Sequence, residues 1–249
     1  MYGFLRFLLV AVVAAARLHA QPKADAPIDL TGYWVSIVTE DWRFRMVTPA
    51  KGDYASVPLN AEARKVADTW DPAKDEAAGN QCKSYGAAAL MRVPGRIHIT
   101  WENDSTLRID TDAGTQTRLF HFGGQPPQTG EPQWQGYSVA KWEGSGVGRG
   151  REPSPAGGTA ERQTRGGSLK VVTTRMRPGF LRKNGVPYSG NAVLTEYYSR
   201  TMEPNGDSWL IVTTVVEDPQ YLNQPFITST HFRKQADASG WNPTPCTAR

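Results

Sequence analysis

"RIHITWENDSTLRIDTDAGTQTRLFHF", Arg96 to Phe122, is the stretch whose reading decides the fold. Ile97, Ile99 and Trp101 alternate with His98, Thr100 and Glu102. Leu107, Ile109 and Thr111 alternate with Arg108, Asp110 and Asp112. Gln116, Arg118, Phe120 and Phe122 alternate with Thr117, Leu119 and His121. A period of two sends successive side chains to opposite faces of a sheet. "NDS" and "AG" between the runs are turn chemistry, so the stretch reads as consecutive antiparallel hairpins.

The same pattern continues on both sides. Upstream, "GYWVSIV" alternates, and Trp42, Phe44 and Met46 alternate with Arg43, Arg45 and Val47 as a second run. Between them and Arg96, Asn60 is placed to cap a short helix within residues 60–70, with Ala63, Val66 and Trp70 on one face, closed by Asp71–Pro72. "KSYGAAALMRVPG" has room for one more helical turn. Downstream come "YSVAKWE", "SLKVVTTRM", "NAVLTEYYSRTM", "SWLIVTTVVE" and "FITSTHFRK". Roughly nine or ten short strands follow from this pattern, and no βαβ alternation appears. The expectation is an all-β domain: an antiparallel barrel or strongly curved sheet with a small helix.

The chain starts with "MYGFLRFLLVAVVAAARLHA": a basic residue, a short apolar run and a small residue before Gln21. That is the pattern of a secretory signal over residues 1–20, and the run is too short to span a bilayer. The expected mature chain, 21–249, is one domain, periplasmic or secreted, with no membrane span. The formal charge of +4 falls to +2 because Arg6 and Arg17 leave with the leader. Near-neutral charge with scattered arginines excludes a nucleic-acid surface. In an exported chain the pair Cys82 and Cys246 is expected to form a disulfide, and neither has neighbours at metal-ligand spacing. Residues 144–167 hold eight glycines, four arginines and no aromatic residue, and read as a flexible loop.

Two resemblances carry further. "GYW", Gly32 to Trp34, is similar to the G-x-W signature of lipocalins and other calycins. There a tryptophan closes the barrel base and an arginine from a late strand stacks on it; Arg233 is the matching candidate. More broadly, Gly136, Ser138 and Trp142–Gly144, then Leu169–Thr174, Ser189–Tyr198 and Val216–Pro225 follow the element order of a large group of exported bacterial β-rich proteins. This resemblance covers about Arg118 to Phe226. It implies a barrel-like domain and brings no activity. The chain departs from the pattern in the long insertion after Gly144 and in "FHFGG".

Chemistry is less legible. No dinucleotide, haem or phosphate-loop motif is present, no G-x-S-x-G elbow supports a serine nucleophile, and no cofactor is expected. His98, His121 and His231 lie on separate strands with no ligand-pair spacing, so no metal is expected either. What remains is acid–base chemistry among aromatic residues, where desolvation shifts pKa values. Glu196 and Tyr198 are two apart and share a face, which makes them the leading catalytic pair. Arg118 and His121 are three apart and face opposite sides, so strand parity decides which of them is internal. Trp42, Arg43, His98, Trp101, Trp142 and His231 are the candidate ligand contacts. The function expected from this set is a cofactor-independent lyase or isomerase acting on an aromatic or polycyclic small molecule. A carrier of a small hydrophobic ligand without catalysis is the alternative, and an envelope interaction domain is a third class.

Overall fold

The structure is a computed structural model and describes residues 22–127, 129–144 and 167–249. The expected signal peptide and almost all of the Gly/Arg-rich loop lie outside the described residues. Nine strands close into a barrel, in the spatial order β1 (Gly32–Ile37), β11 (Phe226–Lys234), β10 (Ser208–Glu217), β9 (Val193–Met202), β6 (Gly167–Thr174), β5 (Tyr137–Gly144), β4 (Thr117–Phe122), β3 (Thr106–Thr111), β2 (Arg96–Asn103) and back to β1. All pairs are antiparallel except β4 with β5, which is parallel. The segment 123–136 returns the chain to the end where β4 began. It leaves β4 through Gly123 and Gly124, both at positive φ.

A second hairpin, β7 (Gly179–Arg182) and β8 (Val186–Tyr188), stands apart from the barrel as its own two-stranded sheet. It packs with α2 (Ala61–Asp68), the 3₁₀ turn Gln81–Tyr85 and α4 (Ala87–Leu90). The Asn60 side chain caps α2, accepting from the Ala63 amide at 2.9 Å, and Ala63 and Ala67 face inward. α2 ends at Asp68 with Thr69 as its C-cap, so Trp70, expected on its face, lies beyond it. Asp71–Pro72 instead opens a further helix, α3 (Pro72–Ala77), with the Asp71 carboxylate capping it. Where alternation had suggested a strand at 42–47, the chain forms a one-turn helix, α1 (Trp42–Arg45). Asp41 enters it at φ 49°, and the turn carries the Arg45 side chain inward to Glu40, the Ser36 hydroxyl and the Arg92 carbonyl. Six alternating residues carry too little pattern to outweigh that buried anchoring.

The barrel is solid. Trp34, Ile99, Leu107, Ile109, Phe120, Leu169, Tyr198, Leu210, Val212 and Phe232 form its apolar core. Trp34 is fully buried and donates its indole N–H to the Leu30 carbonyl at 2.9 Å. The cations over its ring are Lys234, 4.6 Å from the centroid, and Arg200, at 5.9 Å. Lys234 rather than Arg233 takes this place because Lys234 is the register partner of Trp34, while Arg233 falls on the outer face. A second core, with Leu59, Leu181, Val186, Tyr188, Leu194, Val216 and Phe226, fills the mouth beneath the helices and the β7–β8 hairpin.

That hairpin turns through Gly185 at φ +85°, where an added Cβ would stand 2.3 Å from the Trp70 Cβ. The left-handed backbone alone disfavours alanine by about 1–2 kcal/mol, and Trp70 must also move. Gly185→Ala is therefore expected to lower the urea midpoint by at least that equivalent. An unchanged midpoint would show that the tip repacks freely.

Candidate functional site

Strands β9 and β10 each cross both cores, and between the cores their inward residues turn polar. On β9 the inward series is Leu194, Glu196, Tyr198; on β10 it is Val216, Thr214, Val212, paired rung by rung. With Arg118, Ser138 and Thr173 they form a buried polar layer. Arg118 grips Glu196 side by side: Nη1 to Oε1 at 2.9 Å and Nη2 to Oε2 at 2.6 Å, with both side chains at zero exposure. The Tyr198 hydroxyl donates to Glu196 Oε1 at 3.1 Å. Arg118 Nη2 also donates to Thr173 Oγ1 at 3.2 Å, and Thr173 Oγ1 lies 2.8 Å from Ser138 Oγ. Burial opposes the charge on Arg118, but the facing Glu196 and Tyr198 outweigh it and hold the guanidinium protonated. Burial and the neighbouring carboxylate push the Tyr198 phenol well above its ordinary range. Arg118 Nε, Thr214 Oγ1 and the Tyr188 hydroxyl are buried polar atoms of this region with no partner among the described residues.

So Arg118, Glu196 and Tyr198 do meet, as strand parity allowed. His121 is not with them. Arg118 and Phe120 face inward, and His121 lies on the outer face, stacked on Tyr137 with ring centroids 4.7 Å apart. None of the surface clefts described below is lined by Glu196, Tyr198 or Arg118.

The six expected ligand contacts do not converge. Trp101 and Trp142 sit with Phe122 in an aromatic cluster, and Trp142 donates to the Pro22 carbonyl at 2.7 Å. Trp42 is exposed on α1, and Arg43 beside it pairs with Asp53. His231 lines an open groove with Trp209, Ile211, Glu203 and Asp207, and its Nδ1 lies 3.1 Å from Thr39 Oγ1 and 3.3 Å from Glu40 Oε2. The separation follows from their positions. Trp101 and Trp142 pack together against the barrel core, and Trp42 and Arg43 leave the sheet on α1. His98 and His231, on the outer face of the barrel, point in divergent directions. Among the described residues, no three His, Cys, Asp or Glu side chains stand together as a metal site.

His98 is the expected contact that lies in a structured cleft. The cleft, about 340 Å³, lies over the outer face of β2 and β3 and is walled by the C-terminal tail. Tyr33 and His98 are stacked in parallel, centroids 3.9 Å apart, and Trp241 meets both rings edge-on. Arg108, Asp110, Gln116 and Thr117 supply a polar side. Asp110 accepts from Arg108 Nε at 2.8 Å and from Thr117 Oγ1 at 2.5 Å. Trp241 and Pro243 were not legible as site residues, because they lie in a tail without strand periodicity. They are placed by the Cys82–Cys246 disulfide, which forms as expected, and by the Thr244 amide donating to the Asp112 carbonyl at 2.9 Å.

Burial holds the pKa of His121 below 6.5, and burial likewise lowers that of His98 although Asp110 opposes it. Unfolding frees both to take up protons near pH 6.5. Below that pH the unfolded chain binds more protons, so stability falls with pH and levels off once both rings have titrated in the folded state. The melting temperature is therefore expected to decline on going from pH 7.5 to 5. His98→Phe/His121→Phe should flatten the decline; an equally steep curve in that variant would assign it to other groups. No family model, no curated protein and no solved structure matches the chain.

Proposed function

We propose that this is an exported binding protein that holds a small aromatic ligand in the Tyr33–His98–Trp241 cleft. The observation that carries this reading is the cleft itself: three aromatic rings in mutual contact beside an Arg108–Asp110–Thr117 polar edge, on a rigid barrel wall. An apolar surface with a few directed polar groups is the usual make-up of a small-molecule site. The leader-like N-terminus and the disulfide support export. The carrier reading fits the barrel better than the expected lyase or isomerase with Glu196 as base, since that carboxylate has no exposed surface and both its oxygens are engaged by Arg118.

The test is a titration of tryptophan fluorescence in the oxidised mature protein with a panel of phenols, aromatic acids and fused-ring alcohols, with product analysis of each mixture. Saturable binding, at least ten-fold weaker in Trp241→Ala and without turnover, is the expected result. Binding unaffected by Trp241→Ala would overturn the site.

One observation favours a second reading, an acid–base enzyme whose base is His98. Neither ring nitrogen of His98 has a hydrogen-bond partner among the described residues, and Asp110 is its cross-strand neighbour. Burial keeps the imidazole neutral near pH 7, the form that accepts a proton. Turnover lost in His98→Gln but kept in Glu196→Gln would support it.

A further inference from the structure

A second cleft, about 90 Å³, opens between α1, the segment after α4, and β7. It shares no residue with the Tyr33–His98–Trp241 cleft. Arg45, Arg92, Arg182 and Lys183 line it, and no carboxylate does. The three arginines are 8%, 6% and 3% exposed.

Their hydrogen bonds show which donors are free. Arg45 is fully engaged by Glu40, Ser36 Oγ and the Arg92 carbonyl. The Lys183 ammonium reaches away to the Tyr85 hydroxyl at 2.8 Å and to the Arg249 carbonyl. Arg92 gives Nη2 to Asp41 at 3.1 Å, and its Nη1 has no partner among the described residues. Arg182 gives Nη1 to the Ala55 carbonyl at 2.6 Å; Nε and Nη2 have no partner among the described residues. Among the described residues no carboxylate lies within ion-pair distance of Arg182. Its guanidinium is instead 4.0 Å from the Phe44 ring centroid and 6.0 Å from that of Phe226. A ring face attracts the cation but does not accept its in-plane N–H groups.

Nε and Nη2 lie on one edge of a guanidinium and together form the fork that binds a carboxylate through two parallel hydrogen bonds. In Arg182 that edge is unpaired, as is Nη1 of Arg92. Both side chains line the cleft, but these nitrogens have almost no exposed surface, so a head group reaches them when the two side chains swing toward it. A buried cation without a counter-charge is strongly unfavourable. Burial, reinforced by Arg92 and only partly offset by Asp41 and Asp53, brings the Arg182 pKa down to about 10. Around the opening the lining turns apolar: Met46 and Val47 are exposed at 59% and 67%, and Val93 and Pro94 adjoin them.

We propose that this cleft binds the carboxylate of a small amphipathic acid, held on the free edge of Arg182 and on Arg92 Nη1, with its hydrocarbon part lying over Met46, Val47, Val93 and Pro94. A cavity of about 90 Å³ takes a head group while the tail stays on the surface.

The experiment is calorimetric titration of the oxidised mature protein with octanoate, octyl phosphate and octanol. Saturable octanoate binding is expected, with octanol at least ten-fold weaker for want of charge. Arg182→Lys keeps a cation but loses the fork, and should weaken octanoate at least ten-fold. Val47→Ser, at an exposed position that leaves the fold intact, should weaken it several-fold. Trp241→Ala should leave it unchanged, which separates this site from the aromatic cleft. Absence of octanoate binding in the wild type, or binding undiminished in both Arg182→Lys and Val47→Ser, overturns the proposal. Octyl phosphate binding ten-fold tighter than octanoate overturns the assignment of the carboxylate class.

Discussion

Glu196→Gln is expected to lower stability by about 3–5 kcal/mol, the usual consequence of leaving one member of a buried ion pair without its partner. For a chain of this size that is a fall in melting temperature of roughly 10 °C. The reason lies in the layer between the two cores. Arg118 sits 1% exposed, and Glu196 is the carboxylate that neutralises it. Glutamine retains the shape but not the charge, so the guanidinium is stranded in a low-dielectric layer. Arg118→Met is expected to be similarly damaging, because a buried carboxylate must then be protonated. The double variant Arg118→Met/Glu196→Leu removes both charges and should recover most of the loss, since an apolar replacement of a whole buried pair is often neutral or stabilising. Thermal and urea unfolding of the three proteins measure this. If Glu196→Gln melts with the wild type, the pair is energetically slack and a role in chemistry regains weight.

Removing the disulfide is expected to cost about 2–5 kcal/mol. Cys82 and Cys246 are 164 residues apart, so the bond closes a loop of roughly two thirds of the 249-residue chain. In the chain-entropy description a loop this long approaches about 5 kcal/mol, and measured gains are often smaller. The tail has other attachments: Thr115 Oγ1 donates to the Thr244 carbonyl at 2.9 Å, and Ala248 is buried. Cys82→Ser/Cys246→Ser is therefore expected to fold but to melt well below the oxidised protein. It should also bind aromatic ligands more weakly, because Trp241 and Pro243 stand in the tail that the bond holds down. Octanoate binding at the arginine cleft should persist. Equal aromatic affinity in the presence and absence of the disulfide would mean that the non-covalent contacts alone position Trp241.

Local pattern was enough for the barrel strands because each of them has one face in the core and one outside, and a period of two records that directly. It was enough for the start of α2, which Asn60 caps, but the helix ends at Asp68, short of the Asp71–Pro72 stop that opens α3 instead. It failed at α1, where six alternating residues imitated a strand, and at β7 and β8, which are short and buried on nearly all sides and so do not alternate. It also did not show that β4 and β5 run parallel, because the direction of a strand after a long connection is not a local property.

The site divides in the same way. Spacing alone determined that Glu196 and Tyr198 share a face and that His121 and Arg118 do not; the even cysteine count with a leader-like N-terminus led to the expectation of the Cys82–Cys246 bond. Tertiary structure decided which face is the interior. That follows from closure of the sheet, which seals Arg118 and Glu196 against each other and leaves His121 outside. It also brought Trp241 to His98, and Arg182 to Arg92, across stretches of chain whose own sequences carry no sign of the encounter. Parity along a strand is set by backbone geometry and is therefore written in the sequence; proximity between strands and tails is set by how the whole surface is buried, and only the folded chain shows it.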